Sequence, residues 1–218
     1  MANTFDRRVI ANETLAVLRQ LCDFGDARLG GGAALSGVDL HHRLSNDVDI
    51  FFPDRLEHRA TVARLSELAE SVSASARIVR DAGHLVRAVV QTPVGSVVLD
   101  LVHDPVPRIE PEGRHVEGIR VESLADLRAA KLTCILSRSE PRDLVDLLFL
   151  DRAGYPPDAD LGLALSKDAG VDPAVLAWLL GQFPTSPLPA MLVPLGSLEL
   201  VEFRDALGER FRKQAVGD

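Results

Sequence analysis

The most constraining feature of the sequence is a triple glycine that is followed, after a polar loop, by two aspartates in an apolar run. Residues 27–29 predict a short strand, and Gly30-Gly31-Gly32 lets the backbone turn tightly and approach a ligand closely. Ala33 to Leu40 then predicts a short helix. The free N–H groups and the dipole at a helix N-terminus favour phosphate. The stretch therefore predicts a strand, a turn and a helix that together cradle a phosphate group.

Asp49 lies within the strand predicted over Val48 to Phe52, and Asp47 directly precedes it. Because side chains alternate between the faces of a strand, Asp47 and Asp49 point the same way. Two adjacent carboxylates repel each other unless a cation lies between them, and oxygen ligands suit Mg²⁺, with Mn²⁺ as the alternative. Either feature alone is commonly structural. Together, in this order, the cradle and the carboxylate pair predict metal-assisted phosphoryl or nucleotidyl transfer.

These residues resemble the first motif of the AbiEii/AbiGii toxin family. Its members are nucleotidyltransferases with a polymerase-β-type fold, found in bacterial toxin–antitoxin and phage-defence systems. Many members carry Thr or Ser where this chain has Ala33. The resemblance implies that Asp47 and Asp49 hold Mg²⁺ or Mn²⁺ against a nucleoside triphosphate. The matching positions are Gly31, Gly32, Ala34, Leu35, His42, Arg43, Ser45, Asp47, Asp49 and Phe51, of which Gly31, Gly32, Arg43 and Ser45 are expected to hold the phosphates.

A third carboxylate interrupts a predicted hairpin strand. Leu85 to Thr92 and Ser96 to Val102 are separated by a Pro-Val-Gly turn, and Asp100 lies within the second strand. A buried carboxylate is costly unless it is paired or binds a metal. One interpretation of Asp100 is therefore a salt-bridged aspartate. The family resemblance implies the other, in which Asp100 faces the first pair, completes a two-metal site and activates the acceptor hydroxyl.

A later block predicts two consecutive helices. Ser123-x-x-Asp126 is typical of a helix start, and Lys131 interrupts the apolar helix that follows. Lys131 either extends to solvent or reaches phosphates as a point charge. Asp143 and Asp146 share one face of the next helix, although the helix dipole alone also favours acidic residues in a first turn. The block is similar to a later motif of the same family, which implies that all three residues belong to the active site.

The pattern of elements predicts an α+β (mixed α/β) chain, and the family resemblance implies the polymerase-β-type nucleotidyltransferase fold. We expect a small mixed sheet flanked by helices in residues 1–122, and a helical region in residues 123–218 that packs on this core. Further helices are predicted over Phe5 to Cys22 and, with Leu56, Ala60, Ala63 and Leu68 facing inward, over Leu56 to Val72. Trp178 is expected in the core. The last helix, from Leu198 to Lys213, has one apolar stripe, which either packs on the fold or binds a partner; the stripe consists of Leu200, Phe203, Leu207 and Phe211.

The composition limits which binding partners and which cellular compartment are expected. The formal net charge of −8 over 218 residues argues modestly against a large RNA substrate, although basic residues can cluster locally. The polar segment Met1–Arg8 shows no signal peptide, and no apolar run is long enough for a bilayer. The widely spaced Cys22 and Cys134 predict buried free thiols. We therefore expect a cytoplasmic protein without a membrane partner.

The expected function is transfer of a nucleoside monophosphate from a nucleoside triphosphate to a hydroxyl of RNA, such as tRNA, or of a protein. By resemblance, the chain is the toxin of an AbiE-like system with a cognate antitoxin. Two alternatives remain open: a nucleotidyltransferase of small molecules, as for antibiotics, and a degenerate module that binds a nucleotide or partner without catalysis. An Asp-x-Asp glycosyltransferase is disfavoured, because too few residues precede Asp47 for the alternating strands and helices of its nucleotide-binding sheet.

Overall fold

The computed structural model describes residues 4–217, so the first three residues of the polar segment Met1–Arg8 lie outside the described part. The chain divides into two compact units, residues 1–123 and residues 124–218. Each unit buries its own apolar residues and is described by itself.

The first unit alternates helices with short strands. Helix α1 precedes the glycine turn, and α2 continues directly into a π-helical stretch over Leu35–Leu40. Two strands then flank helix α3, and the hairpin and two short strands follow. The bounds are α1 Asn12–Phe24, β1 Arg28–Gly30, α2 Gly31–Ala34, β2 Asp47–Phe52, α3 Arg55–Glu70, β3 Ser75–Asp81, β4 Leu85–Thr92, β5 Gly95–His103, β6 Arg114–Val116 and β7 Ile119–Val121.

Within residues 4–217 the strands form one seven-stranded sheet in the order β3-β4-β5-β2-β1-β7-β6. The pairs β2–β5 and β1–β7 are parallel, and the other neighbours are antiparallel. This is the small mixed sheet with flanking helices that the sequence predicts. The α+β fold class is therefore confirmed, as is the hairpin of β4 and β5.

The two faces of β2 have different environments. Val48, Ile50 and Phe52 are buried, and the residues between them are partly exposed. The ring of Phe52 contacts His58 of α3, with centroids 5.5 Å apart. The apolar side of β2 therefore faces α3, and Asp47 and Asp49 lie on the opposite side of the sheet.

The first helix begins later than the sequence predicts. It starts at Asn12 instead of Phe5, because Asp6 organises a separate turn before it. The Asp6 carboxylate accepts a 2.9 Å hydrogen bond from the backbone N–H of Arg8, and its carbonyl accepts one of 3.0 Å from Val9. These local bonds compete with the helical pattern over residues 6–10.

The predicted inner face of α3 is right at Leu68 and wrong at Leu56, Ala60 and Ala63, which are exposed. Leu56 is 75% exposed, whereas the helix buries His58, Thr61 and Leu65 together with Leu68. The apolar spacing suggested a different stripe because two of the residues that face the sheet are polar. Tertiary contacts of His58, including that with Phe52, decide which side is buried.

The second unit is helical. Helix α4 packs against α5, α6 and α7, and α8 packs against α5 and α7. The four residues of the predicted α8 stripe are all buried, which confirms that this stripe packs on the fold. The bounds are α4 Leu124–Ser137, α5 Pro141–Arg152, a 3₁₀ turn Pro157–Asp160, α6 Leu161–Lys167, α7 Pro173–Leu180 and α8 Ser197–Val216.

The prediction for Trp178 is wrong, because its side chain is 68% exposed. Helix α7 buries Leu176, Ala177 and Leu180, and the tryptophan lies on the remaining side of this short helix. No helix within the described range, residues 4–217, has the length and apolar character needed to cross a membrane.

Candidate active site

One row of paired residues crosses the centre of the sheet. Gly30 of β1 pairs with Asp49 of β2, Asp49 pairs with Asp100 of β5, and Asp100 pairs with Arg87 of β4. Directly paired residues on neighbouring strands place their side chains on the same face. The topology thus brings Asp49 and Asp100 side by side, although they lie far apart in sequence.

Asp47 lies on the same face as Asp49, since it is two residues earlier on β2. Its side chain is 17% exposed and that of Asp100 is 7% exposed. The three predicted carboxylates are therefore gathered on one face of the sheet. Carboxylate oxygens are the ligands that Mg²⁺ and Mn²⁺ prefer in proteins, so the ligand type at this site suits such an ion.

Asp100 is held by an arginine. Nε of Arg87 donates to Oδ1 of Asp100 at 2.7 Å, and Nη2 of Arg87 donates to Oδ2 at 2.6 Å. The same Nη2 lies 3.9 Å from Oδ2 of Asp47. Within residues 4–217, no three His, Cys, Asp or Glu side chains are arranged to hold a metal together. In this arrangement a guanidinium, rather than a cation shared by all three carboxylates, compensates Asp100.

The hydrogen bonds to Asp100, with the nearby charges of Asp47 and Asp49, raise the pKa of Arg87 above its already high ordinary value. Arg87 therefore keeps its charge at any physiological pH. The site residues predicted from the sequence do not include it. The hairpin could have revealed Arg87 as a site residue, because the register in which Thr92 pairs with Gly95 places Arg87 opposite Asp100.

Two glycines of the turn are required by the side chains that approach them. Gly31 has a φ of +61°, and a Cβ there would overlap the carboxylate of Asp49. A Cβ on Gly32 would overlap the guanidinium of Arg43. Only glycine leaves room for both side chains and adopts the left-handed conformation without strain. The turn thus brings the start of the Gly31–Leu40 helical segment against Asp49.

Arg43 and Ser45 lie in the loop before β2. Arg43 is 2% exposed, and its Nη1 donates to the carbonyl of Leu44 at 2.8 Å. The hydroxyl of Ser36 and the backbone of Arg43 are hydrogen-bonded to each other, which fixes the loop. Ser45 is half-buried. Arg43 therefore contributes its charge beside Gly32, at the glycine turn.

The remaining predicted residues form a buried network in the second unit. Nζ of Lys131 lies 2.7 Å from Oδ2 of Asp146 and 3.2 Å from Oδ1 of Asp143. Arg138 donates to both oxygens of Asp143, at 2.8 Å each. Asp143 and Asp146 are completely buried, and Lys131 is 3% exposed. The structure thus joins Lys131, Asp143 and Asp146, and gathers the other predicted residues in the first unit.

The charges of this network balance. Burial raises the pKa of Asp143, but the charge of Lys131 and the hydrogen bonds from Arg138 outweigh burial and hold that pKa below its usual value. Two cations therefore face two carboxylates. Lys131 neither extends to solvent nor presents an uncompensated charge, because its ammonium group is bound between Asp143 and Asp146.

Solved structures share this fold. A protein from H. pylori to which nucleotidyltransferase activity is ascribed superposes with a TM-score of 0.61, at 21% identity, over 94% of each chain. JHP933 from Helicobacter pylori gives a TM-score of 0.58 at 22% identity, over 94% of this chain and 93% of that one. MenT4, a nucleotidyltransferase toxin from Mycobacterium tuberculosis, gives 0.55 at 19% identity, over 96% of this chain and 86% of that one.

A comparison with curated protein sequences gives no significant match. A family model does match, and it covers residues 17–217, nearly the whole chain. It describes the nucleotidyl transferase AbiEii toxin of type IV toxin–antitoxin systems. The matched range contains the glycine turn, the three aspartates of the sheet and the buried network of the second unit. The chain therefore belongs to the AbiEii nucleotidyltransferase toxin family and is a nucleotidyltransferase.

Proposed function

We propose that this nucleotidyltransferase moves a nucleoside monophosphate from a nucleoside triphosphate to a hydroxyl of RNA, with tRNA as the first candidate, or of a protein. We further propose that the reaction depends on Mg²⁺ or Mn²⁺, and that the chain is the toxin of a cytoplasmic toxin–antitoxin pair. The observation that carries the proposal is the sheet row of Gly30, Asp49 and Asp100, with Asp47 beside it on the same face.

The carboxylates of β2 have the first role. Asp47 and Asp49 hold the metal ion, and their shared face and oxygen donors support this assignment. When bound, the ion stabilises negative charge on the phosphate oxygens as a Lewis acid. The backbone N–H groups at Gly31 and Gly32 face the β- and γ-phosphates, and Arg43 and Ser45 complete the phosphate contacts.

Asp100 acts on the acceptor. Its carboxylate takes the proton of the attacking hydroxyl, whose oxygen forms a bond to the α-phosphorus. The bond from the α-phosphorus to the bridging oxygen breaks, and pyrophosphate leaves with that electron pair. For this role Arg87 must release Asp100 at least partly, because both oxygens of Asp100 accept hydrogen bonds from it.

The second unit contributes through its network. We propose that Lys131, Asp143 and Asp146 belong to the active site, as the family resemblance implies. Lys131 lies between two carboxylates, which compensate its charge. The network therefore fixes the position of the ammonium group and does not present a free charge.

The test is an incubation of the protein with Mg²⁺ and each α-labelled nucleoside triphosphate, with and without total tRNA. Asp49→Asn keeps the shape of the side chain and removes its charge, and Asp23→Asn is the matched control at an exposed aspartate. We expect label in RNA or protein with the unchanged chain and with Asp23→Asn, and a loss of at least about a hundredfold with Asp49→Asn.

The outcomes separate the candidate functions. Label in RNA identifies an RNA acceptor, and label in the protein fraction identifies a protein hydroxyl. Equal transfer by the Asp49→Asn variant would refute the site assignment. Absence of transfer with every nucleotide, together with calorimetry that shows no binding of the metal–nucleotide complex, would favour the non-catalytic module. Growth arrest that requires Asp49, relieved by a co-expressed neighbouring gene product, would support the toxin–antitoxin proposal.

A further inference from the structure

A second cluster of arginines lies in the first unit, apart from the three aspartates. A pocket of about 240 Å³ opens between the end of β2 and the segment over residues 105–111. Arg28 of β1 and Arg108 of this segment line it, with Asp26 as the acidic neighbour. The remaining wall is apolar and consists of Pro53, Pro105, Val106, Pro107 and Pro111.

Arg28 is nearly buried and only partly bonded. Its side chain is 9% exposed, and both Nε and Nη2 lie 3.4 Å from Oδ1 of Asp26. Its third nitrogen, Nη1, is buried and has no hydrogen-bond partner among residues 4–217. Buried donors of this kind are costly, because they have lost water without gaining an acceptor.

Arg108 has the same deficiency. Its Nε and Nη2 are buried and find no acceptor within the described range. Burial lowers the pKa of Arg108 below its ordinary value, and the charge of Arg28 lowers it further. Asp26, Asp104 and Glu122 act in the opposite direction without reversing the shift.

The neighbouring carboxylate does not compensate both arginines. Oδ1 of Asp26 also accepts a 2.8 Å hydrogen bond from Nη1 of Arg120, so this one atom already serves Arg120 and Arg28. The two arginines that line the pocket thus have three buried guanidinium nitrogens, one of Arg28 and two of Arg108, that find no acceptor among residues 4–217. An anion is the ligand that would satisfy these donors.

We propose that this pocket binds one phosphate group between Arg28 and Arg108. The Nε and Nη2 of an arginine match two oxygens of a phosphate, and charge-assisted bonds of this type are strong. A carboxylate has only two oxygens, and Nε and Nη2 of Arg108 would bond to both of them. A phosphate group has a further oxygen for Nη1 of Arg28. Either a phosphomonoester or a phosphodiester supplies this chemistry.

The pocket is distinct from the proposed metal site but lies on the same face. Arg28 pairs with Phe51 and Gly30 pairs with Asp49, so Arg28 is two residues along β1 from the row that contains the aspartates. Two residues of strand span about 7 Å. A phosphate in this pocket needs no metal ion, and its binding does not depend on transfer activity.

The test uses thermal unfolding of the full chain with EDTA in a buffer without phosphate. Inorganic phosphate is added at constant ionic strength, with chloride as the reference anion. We expect phosphate to raise the melting temperature of the unchanged protein, of Asp49→Ala, and of Arg64→Gln as a control at an exposed arginine of α3. Arg108→Gln should bind phosphate at least about tenfold more weakly and lose the shift.

Two further variants and measurements make the result specific. Without phosphate, Arg108→Gln should be no less stable than the unchanged protein, since it removes a desolvated charge whose Nε and Nη2 have no acceptor. Arg108→Lys keeps the charge but lacks the fork, so its phosphate response should fall between the two. Competition with a 5′-mononucleotide or with a short oligoribonucleotide distinguishes a phosphomonoester from a phosphodiester, provided that binding depends on Arg108.

Three results would overturn the proposal. The first is an unchanged protein that does not respond to phosphate. The second is an equal response of the unchanged protein and Arg108→Gln. The third is a much larger response in Asp49→Ala than in the unchanged protein, which would place the anion at the glycine turn, where the Asp49 carboxylate repels it. A negative transfer assay with an Arg108-dependent phosphate response would refute the proposed reaction while supporting this pocket.

Discussion

At the scale of single residues, Arg87 determines what the three carboxylates do without a metal ion. It satisfies both oxygens of Asp100 and lies near Asp47. Its guanidinium thus bonds to both carboxylate oxygens of Asp100. Under the proposed function, Arg87 would compete with a metal ion for this carboxylate.

We predict that Arg87→Gln destabilises the metal-free protein by about 1–2 kcal/mol, because the nearly buried Asp100 loses two charge-assisted bonds. The value is below that of a fully buried pair because the Arg87 side chain is 42% exposed. The same change should tighten Mg²⁺ binding by about tenfold, since one positive charge leaves the site. Urea unfolding and metal titration measure the two effects.

Arg80→Gln is the matched control, because Arg80 pairs with Arg87 on the neighbouring edge strand and is exposed. It should change neither quantity appreciably. Weaker Mg²⁺ binding in Arg87→Gln would contradict competition and would show that Arg87 holds Asp100 in a metal-binding position.

A second residue-scale prediction concerns the glycine turn. Gly31→Ala should destabilise the protein and weaken metal binding, because its Cβ collides with the Asp49 carboxylate and the residue has a positive φ. Gly83→Ala is the control, since Gly83 also has a positive φ of +80° but no neighbour within 4 Å of its Cβ. The control isolates backbone strain, about 1 kcal/mol.

The excess loss of stability in Gly31→Ala over Gly83→Ala measures the contact with Asp49. Thermal unfolding gives this excess, and calorimetry gives the metal affinity of each variant. Equal effects of the two changes would mean that Asp49 moves aside freely, and the close approach would then have no role in the site.

His58 gives a pH-dependent prediction. It is 1% exposed, its Nε2 lies 3.2 Å from the carbonyl oxygen of Leu101, and burial lowers its pKa below 6.5. The contact with the Leu101 carbonyl and the charge of Asp81 raise that pKa in part, and the nearby charges of His103 and Arg55 lower it.

Below pH 6.5 the unfolded chain therefore binds a proton that the folded chain does not bind. The stability from neutral His58 is fully present above pH 6.5 and declines as the pH falls toward the lower folded pKa, by at most about 1.4 kcal/mol per pH unit. Urea unfolding between pH 5 and 7.5 should show this decline in the unchanged protein and in the exposed-site control His84→Gln. The decline should be smaller in His58→Gln, and an identical profile there would refute the assignment.

At the scale of elements, the buried network joins α4 to α5. Lys131→Met should cost about 3–5 kcal/mol, since Asp143 and Asp146 would remain buried with fewer cations. Lys213→Met, at an exposed lysine of α8, should cost almost nothing. Thermal unfolding compares the two variants. A Lys131→Met protein that is as stable as Lys213→Met would show that the ion pairs do not hold these helices together.

Local patterns predicted most elements but not every buried face. The hairpin, the Asp-x-Asp strand and the α8 stripe follow from apolar periodicity and turn residues, and the structure contains each of them. Periodicity failed on α3, where His58 and Thr61 face inward, and the expectation that Trp178 lies in the core also failed. In both cases tertiary contacts decide between faces that the sequence pattern does not distinguish.

At the scale of the whole molecule, short motifs are enough to indicate the family, whereas the site depends on the sheet topology. The first motif contains Asp47 and Asp49. The pairing of Asp49 with Asp100 depends on the parallel strands β2 and β5, which are neighbours in the sheet although α3, β3 and β4 lie between them in the sequence. The pairing of Asp100 with Arg87 and the arginine pocket lie outside the motif. Sequence motifs identify the residues that match the family pattern, and long-range strand pairing brings the other residues of the site beside them.

The net charge of −8 leads to a last prediction about the acceptor. An acidic chain binds a polyanion through a few local cations, so few counterions are released. Without metal, binding of labelled tRNA should weaken with KCl with a log–log slope of about −3 or shallower, compared with about −10 for a strongly basic DNA-binding interface. Fluorescence anisotropy measures this slope.

If an RNA phosphate occupies the arginine pocket, Arg108→Gln should make the slope shallower by about 0.7–1, and Arg64→Gln should leave it unchanged. A slope steeper than about −5 would reveal a larger basic surface, and absence of tRNA binding at low salt would favour a protein or small-molecule acceptor.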